Sequence, residues 1–145
     1  MSDTHAKTPV WFWILSVIGL LWFAMGAFDY SATQYRFDFY IAEYTEEQLA
    51  YFYGFPAWYV AIWAISVWGA VAGAVLLLMR KKAASLMFLI SLISFIIAAI
   101  YSYGFTNAME MMGGIGTVIF SAVIFLSILG YFWLARSASA SGILR

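Results

Sequence analysis

Two long apolar runs without a charge, residues 57–79 and 83–109, flank the basic cluster Arg80-Lys81-Lys82. About 20 apolar residues cross a bilayer core of roughly 30 Å as a helix. Both runs reach that length, and three adjacent cations do not rest in hydrocarbon. The pattern predicts a helical hairpin through a membrane, with its basic turn on the cytoplasmic side.

Composition supports this. Of 145 residues, 66% are hydrophobic and only 10% are charged. A soluble domain carries about a quarter of its residues charged. Net charge is zero, so no nucleic-acid partner is indicated. The absence of cysteine removes disulfides, Fe–S clusters, thiolate metal sites and Cys nucleophiles. The single histidine, His5, lies outside every apolar run. That excludes haem or metal held by a histidine inside the membrane, and no cofactor is expected. The first apolar run is longer than a signal-peptide core, and Asp29-Tyr30-Ser31 is a poor cleavage context, so it is read as a span.

Four spans are predicted, at about 10–28, 57–79, 83–105 and 115–135. Trp11, Trp13, Trp58, Tyr59, Tyr101, Tyr103 and Trp133 lie near their ends and read as interfacial anchors. Each span carries small residues at helical spacing: Ser16, Gly19 and Gly26, then Ser66, Gly69, Ala70 and Gly73. Ser91, Ser94, Ala98 and Ser102 follow, then Gly113, Thr117 and Ser121. Such stripes let helices approach closely, and Gly69-x-x-x-Gly73 is read as packing rather than as a dimer motif. Trp63 and Trp68 sit deeper, where their indole N–H groups need partners.

Loop 29–56 is acidic and rich in rings. Within it, Thr45-Glu46-Glu47-Gln48 is a capping-box pattern, so residues 46–53 are expected as a short amphipathic helix in the outer interface. Gly54 ends that helix and Pro56 starts the next. The tail, 136–145, is small, polar and expected to be mobile.

With the N-terminus inside, Lys7, Arg80, Lys81, Lys82, Arg136 and Arg145 fall on the cytoplasmic side and only Arg36 outside. Both termini are then cytoplasmic. The expected fold is a single all-α transmembrane domain over residues 1–145. It is an antiparallel four-transmembrane-helix bundle, with the amphipathic helix between the first two spans. A core this narrow is expected to be filled by its own side chains. No internal repeat relates the halves, so an inverted-repeat transporter is not indicated.

Candidate sites are few. Asp29 is the one acid joined directly to a span and is a candidate proton or cation relay. Its place at the outer edge, within reach of water or Arg36, favours a structural role. Asp29, Tyr30, Trp63, Trp68 and Glu110 are the candidate substrate-binding residues. Tyr30, Gln34, Tyr35, Asp38, Tyr40 and Glu43 offer the ring-and-carboxylate mixture that holds sugars, although a loop resting on lipid needs the same rings. Met109, Glu110, Met111 and Met112 resemble a soft Cu(I) site, but without His or Cys packing is the better reading. Arg80, Lys81 and Lys82 are topogenic, and lipid headgroups are their other conceivable partner. No paired acids within a span, activated nucleophile or phosphate-cradling loop is present, so no enzyme is expected.

Several passages carry a resemblance: Phe55-Pro56-Ala57-Trp58, Ala64-Ile65-Ser66-Val67-Trp68-Gly69, Leu76-Leu77-Leu78-Met79-Arg80-Lys81-Lys82, and the ending Ala135-Arg136 with Gly142-Ile143-Leu144-Arg145. Together they resemble an uncharacterised family of small four-span bacterial inner-membrane proteins, some labelled "sugar transporter". The layout is more loosely similar to DoxX-like membrane proteins. The resemblance implies fold, size and a bacterial inner-membrane location, and it transfers no site residue. The function expected is association, as an accessory subunit of a membrane assembly or as a homo-oligomer, with membrane lipid as the other partner. The alternatives are an oligomeric sugar or ion transporter or channel, and a lipid- or quinone-binding module. Transport predicts a cavity near Asp29, Trp63, Trp68 and Glu110, lined by Ser91, Ser94, Thr117 and Ser121.

Overall fold

The computed structural model of the chain describes residues 8–35, 38–42, 44–106 and 114–144. Among these, four helices are long and apolar enough to cross a membrane: α1 (Val10–Gln34), α4 (Ala57–Leu78), α5 (Ala83–Phe105) and α6 (Ile115–Ala140). Two short helices, α2 (Asp38–Ile41) and α3 (Glu46–Tyr53), lie between α1 and α4. Only 17% to 33% of each long helix's most apolar stretch is buried inside the chain. The remaining apolar surface needs lipid, because water would solvate it at a cost proportional to its area. The protein is an all-α, four-helix integral membrane protein.

On α1, α4 and α5 most of the small-residue stripe is buried. Ser16 and Gly19 on α1, Ser66, Ala70 and Gly73 on α4, and Ser91, Ser94 and Ala98 on α5 are all buried. A β-carbon on Gly73 would lie 2.9 Å from the Phe88 ring, and one on Gly19 would lie 2.6 Å from Tyr131. The glycine stripe thus serves contacts within one chain. Neighbours pack in the order α1, α4, α5, α6, while α1 and α6 share no comparable backbone contact. Side chains bridge that last gap. The Tyr131 hydroxyl donates to the Leu15 carbonyl at 2.7 Å, and Trp22 meets Phe120 with ring centroids 6.5 Å apart.

The turn between α4 and α5 closes as a Schellman motif. Lys81 N–H donates to Leu76 O and Arg80 N–H to Leu77 O, both at 2.9 Å. Arg80 takes the left-handed position, φ 55°, which glycine usually fills. Its guanidinium donates to Thr8 Oγ1 at 2.9 Å, which ties the start of α1 to this turn. Thr8, Arg80, Lys81, Lys82 and the last turns of α6 therefore share one end of the bundle, the basic end. α2 and α3 lie towards the other, the aromatic end.

Three expectations are corrected. α1 runs to Gln34 rather than 28, because Ser, Ala, Thr and Gln continue the helix once the apolar run stops. Asp29 is therefore five residues inside the helix. α6 runs to Ala140, and the tail folds back. Gly142 adopts φ 86°, Ile143 N–H donates to Ala138 O at 2.9 Å, and Leu144 is 1% exposed. The core at the basic end thus holds Ile143 and Leu144 together with Phe12, Leu77, Ala84 and Ala138.

Candidate functional site

The basic half of the bundle is packed, and the aromatic half is hollow. A layer of rings separates them. Phe23, Phe88 and Tyr131 meet pairwise with centroids 5.4 to 5.9 Å apart. Above this layer a cavity of about 510 Å³ opens, with Phe23, Ala70 and Ile128 at its foot. From Phe23 to Thr33 it follows α1 for about 15 Å, at 1.5 Å per residue. The expectation that side chains fill the core therefore fails in this half. α1 and α6 share little backbone contact, and α2 and α3 contribute Tyr40 and Tyr51 to the lining.

The wall is built from tyrosines braced by short hydroxyls on neighbouring elements. Tyr59 on α4 pairs with Ser102 on α5 at 2.6 Å, and Tyr103 on α5 pairs with Ser121 on α6 at 2.7 Å. Tyr103 also donates to Thr117 O at 3.2 Å. Tyr51 on α3 pairs with Thr106 at 2.7 Å, and Tyr53 donates to Thr33 O at 2.6 Å. These pairs satisfy the polar tips and turn ring faces and edges towards the cavity. Tyr59 and Tyr103, expected as interfacial anchors, are wall residues instead, and Tyr59 is only 8% exposed. Trp11, Trp13, Trp58 and Trp133 are exposed on the outside of the bundle. Tyr101 is half-buried, its ring 4.9 Å from Trp58.

Asp29 is the one charged side chain among the described lining residues. Tyr40, brought over from α2, donates a hydrogen bond to its carboxylate. Burial holds the Tyr40 phenol well above its ordinary pKa, and the bond to Asp29 and its charge add to this. Tyr40 therefore stays a donor throughout the physiological range. The four described cations, Arg80, Lys81, Lys82 and Arg136, all lie at the basic end. The pairing of Asp29 with Arg36 considered above falls outside the described residues.

The five candidate binding residues part company. Asp29 and Trp63 line the cavity. Tyr30 stands behind Trp63, edge-on at 4.9 Å, and is not a lining residue. Trp68 faces outward and is 49% exposed. Glu110 lies outside the described residues, as do the neighbouring methionines, Glu43 and residues 36–37. Of the hydroxyls expected to line a path, Thr117 and Ser121 do so and Ser91 and Ser94 do not. Ser91 is buried between helices, donating to Ser66 O at 2.6 Å. Sequence reasoning missed Tyr44, Phe55 and Ser102 as cavity residues, whereas Tyr40, weighed there as part of a sugar-holding loop surface, does line the cavity.

The cavity also faces sideways. Met25 on α1 and Phe120 on α6 both line it, yet they are 65% and 58% exposed. Gly26, another lining residue, would place a β-carbon in open space. Beside the contact of Trp22 with Phe120 the cavity thus reaches the outside of the bundle between α1 and α6, a lateral mouth.

No family model, no curated protein and no solved structure matches this chain.

Proposed function

We propose that this protein holds a small, largely apolar molecule in the cavity of its aromatic half, as a non-enzymatic binding module of a bacterial inner membrane. The observation that carries the reading is the cavity itself. Its volume of about 510 Å³ lies in the range of small-molecule sites, and apolar rings with one convergent acid are the usual lining of such sites. The lateral mouth favours a ligand dissolved in the bilayer over one arriving from water. Among the three roles weighed from the sequence, this is the lipid- or quinone-binding one. A role in association assumed a core filled by its own side chains. A role in transport needs a path past the layer of Phe23, Phe88 and Tyr131, and no lining residue lies beyond Ile128 towards the basic end on α6.

The basic end faces the cytoplasm in this reading, since the four described cations lie there. The resemblance to small four-span bacterial inner-membrane proteins implies the same placement.

The test is extraction and mass spectrometry of small molecules that stay with the protein purified in an alkyl maltoside. Wild type is expected to carry one defined species in near-equal amount. Gly26→Phe, which fills the mouth from a position with free space, is expected to lose it while keeping full helicity and its melting temperature. A wild-type protein that carries nothing and binds no apolar probe added to it would overturn the reading.

A further inference from the structure

We infer that the molecule held in the cavity is a hydrophobic organic cation, an ammonium or similar centre on an apolar body, seated with its charge against Asp29. The inference rests on the binding role proposed above and adds the charge of the ligand. Asp29 alone among the described lining residues carries a charge, and its described partner is the neutral hydroxyl of Tyr40. A carboxylate held in a low-dielectric wall keeps a strong field in the space before it. Rings add to that field with the same sign, since the face of an aromatic ring is negative. Tyr40 and Tyr44 lie beside Asp29, and Phe55 and Trp63 line the same cavity with their centroids 6.4 Å apart. Recognition of ammonium centres draws on a carboxylate together with aromatic rings, and this cavity is lined by both. The approach from the aromatic end is acidic as well, with Asp38, Glu46 and Glu47 on α2 and α3. Anionic headgroups would meet a repelling acid at the one charged point among the described lining residues, and a cation would supply that acid with a counter-charge. The foot of the cavity, Phe23, Ala70 and Ile128, suits the apolar body.

Two probes of matched size and opposite charge test this on the full-length protein in uncharged micelles. Tetraphenylphosphonium and tetraphenylborate are titrated by calorimetry, with Asp29→Asn and Gly26→Phe as variants. Saturable binding of the cation, no saturable binding of the anion, and a loss of about tenfold or more in Asp29→Asn are expected. Gly26→Phe is expected to abolish binding. Equal binding of both probes, unchanged by Asp29→Asn but lost in Gly26→Phe, would overturn the charge inference and leave the binding cavity standing. Failure of both probes with wild type, together with no retained molecule, would remove both. The comparison of probes on wild type decides the matter even if Asp29→Asn does not fold. Competition by phosphatidylethanolamine doped into the micelles would assign the ammonium to a lipid headgroup; its absence would assign it to a free amphiphile. Either result supports the shared chemistry.

Discussion

Single residues decide how closely these helices approach. Gly19 and Gly73 have aromatic rings where a β-carbon would sit, whereas Gly26 has open space. Tyr131 cannot swing away freely, because its hydroxyl is bonded to Leu15 O across the α1–α6 gap. Gly19→Val and Gly73→Val are therefore expected to lose about 1–3 kcal/mol by overpacking, and Gly26→Ala to lose nothing. Thermal unfolding in micelles reads the contrast, and equal losses at all three positions would contradict it. The stripes were legible in sequence, since close packing demands small residues at helical spacing. Which way a terminal tyrosine points was not. Tyr59 and Trp58 are neighbours at the start of α4, yet one braces the cavity wall and the other is half-exposed. A ring at a helix end has the same sequence signature whether it turns to lipid or to the core.

At the scale of elements, local capping rules held where side chains and backbone agree. Thr45 Oγ1 accepts from Gln48 N–H and Gln48 Oε1 accepts from Thr45 N–H, both at 3.1 Å, so α3 begins where the capping box puts it. Thr45→Ala is expected to cost about 1 kcal/mol locally. It should speed amide exchange at Gln48 and leave the global melting temperature unchanged. The C-terminal tail is the counterpart that was misread. Polar serines suggested mobility, but Gly142 followed by Ile143 and Leu144 is a helix stop with its hydrophobic contact. Gly142→Val is expected to strain a left-handed position by about 1–2 kcal/mol and to free the two apolar residues. Faster carboxypeptidase trimming past Leu144 is the readout, and an unchanged rate would show that the fold-back does not hold the tail. α1 shows the limit of hydropathy: the apolar run stops near Asp29, but the backbone helix continues to Gln34. That extension places the acid inside the bundle rather than at its rim.

Across the whole molecule, the membrane acts as solvent for the outer apolar faces, and the number of spans, their antiparallel order and the basic turn were all readable from charge and length. A void is different. It arises from how whole helices pack, and no residue pattern encodes it directly. Here α1 and α6 are joined by side chains alone, Tyr131 to Leu15 O and Trp22 to Phe120, and the cavity lies in the aromatic half beside the second of these contacts. The absence of native cysteine makes the division between the halves directly measurable with single cysteines. Ala98, at 9% exposed, lines the cavity, and Ala74, at 0%, lies in the packed half. In the folded protein, Ala98→Cys is expected to react with a small membrane-permeant thiol reagent and to be protected by Gly26→Phe, while Ala74→Cys stays inert until unfolding. Equal inertness at both positions would mean that the aromatic half is as solid as the basic half, and would contradict the binding cavity outright.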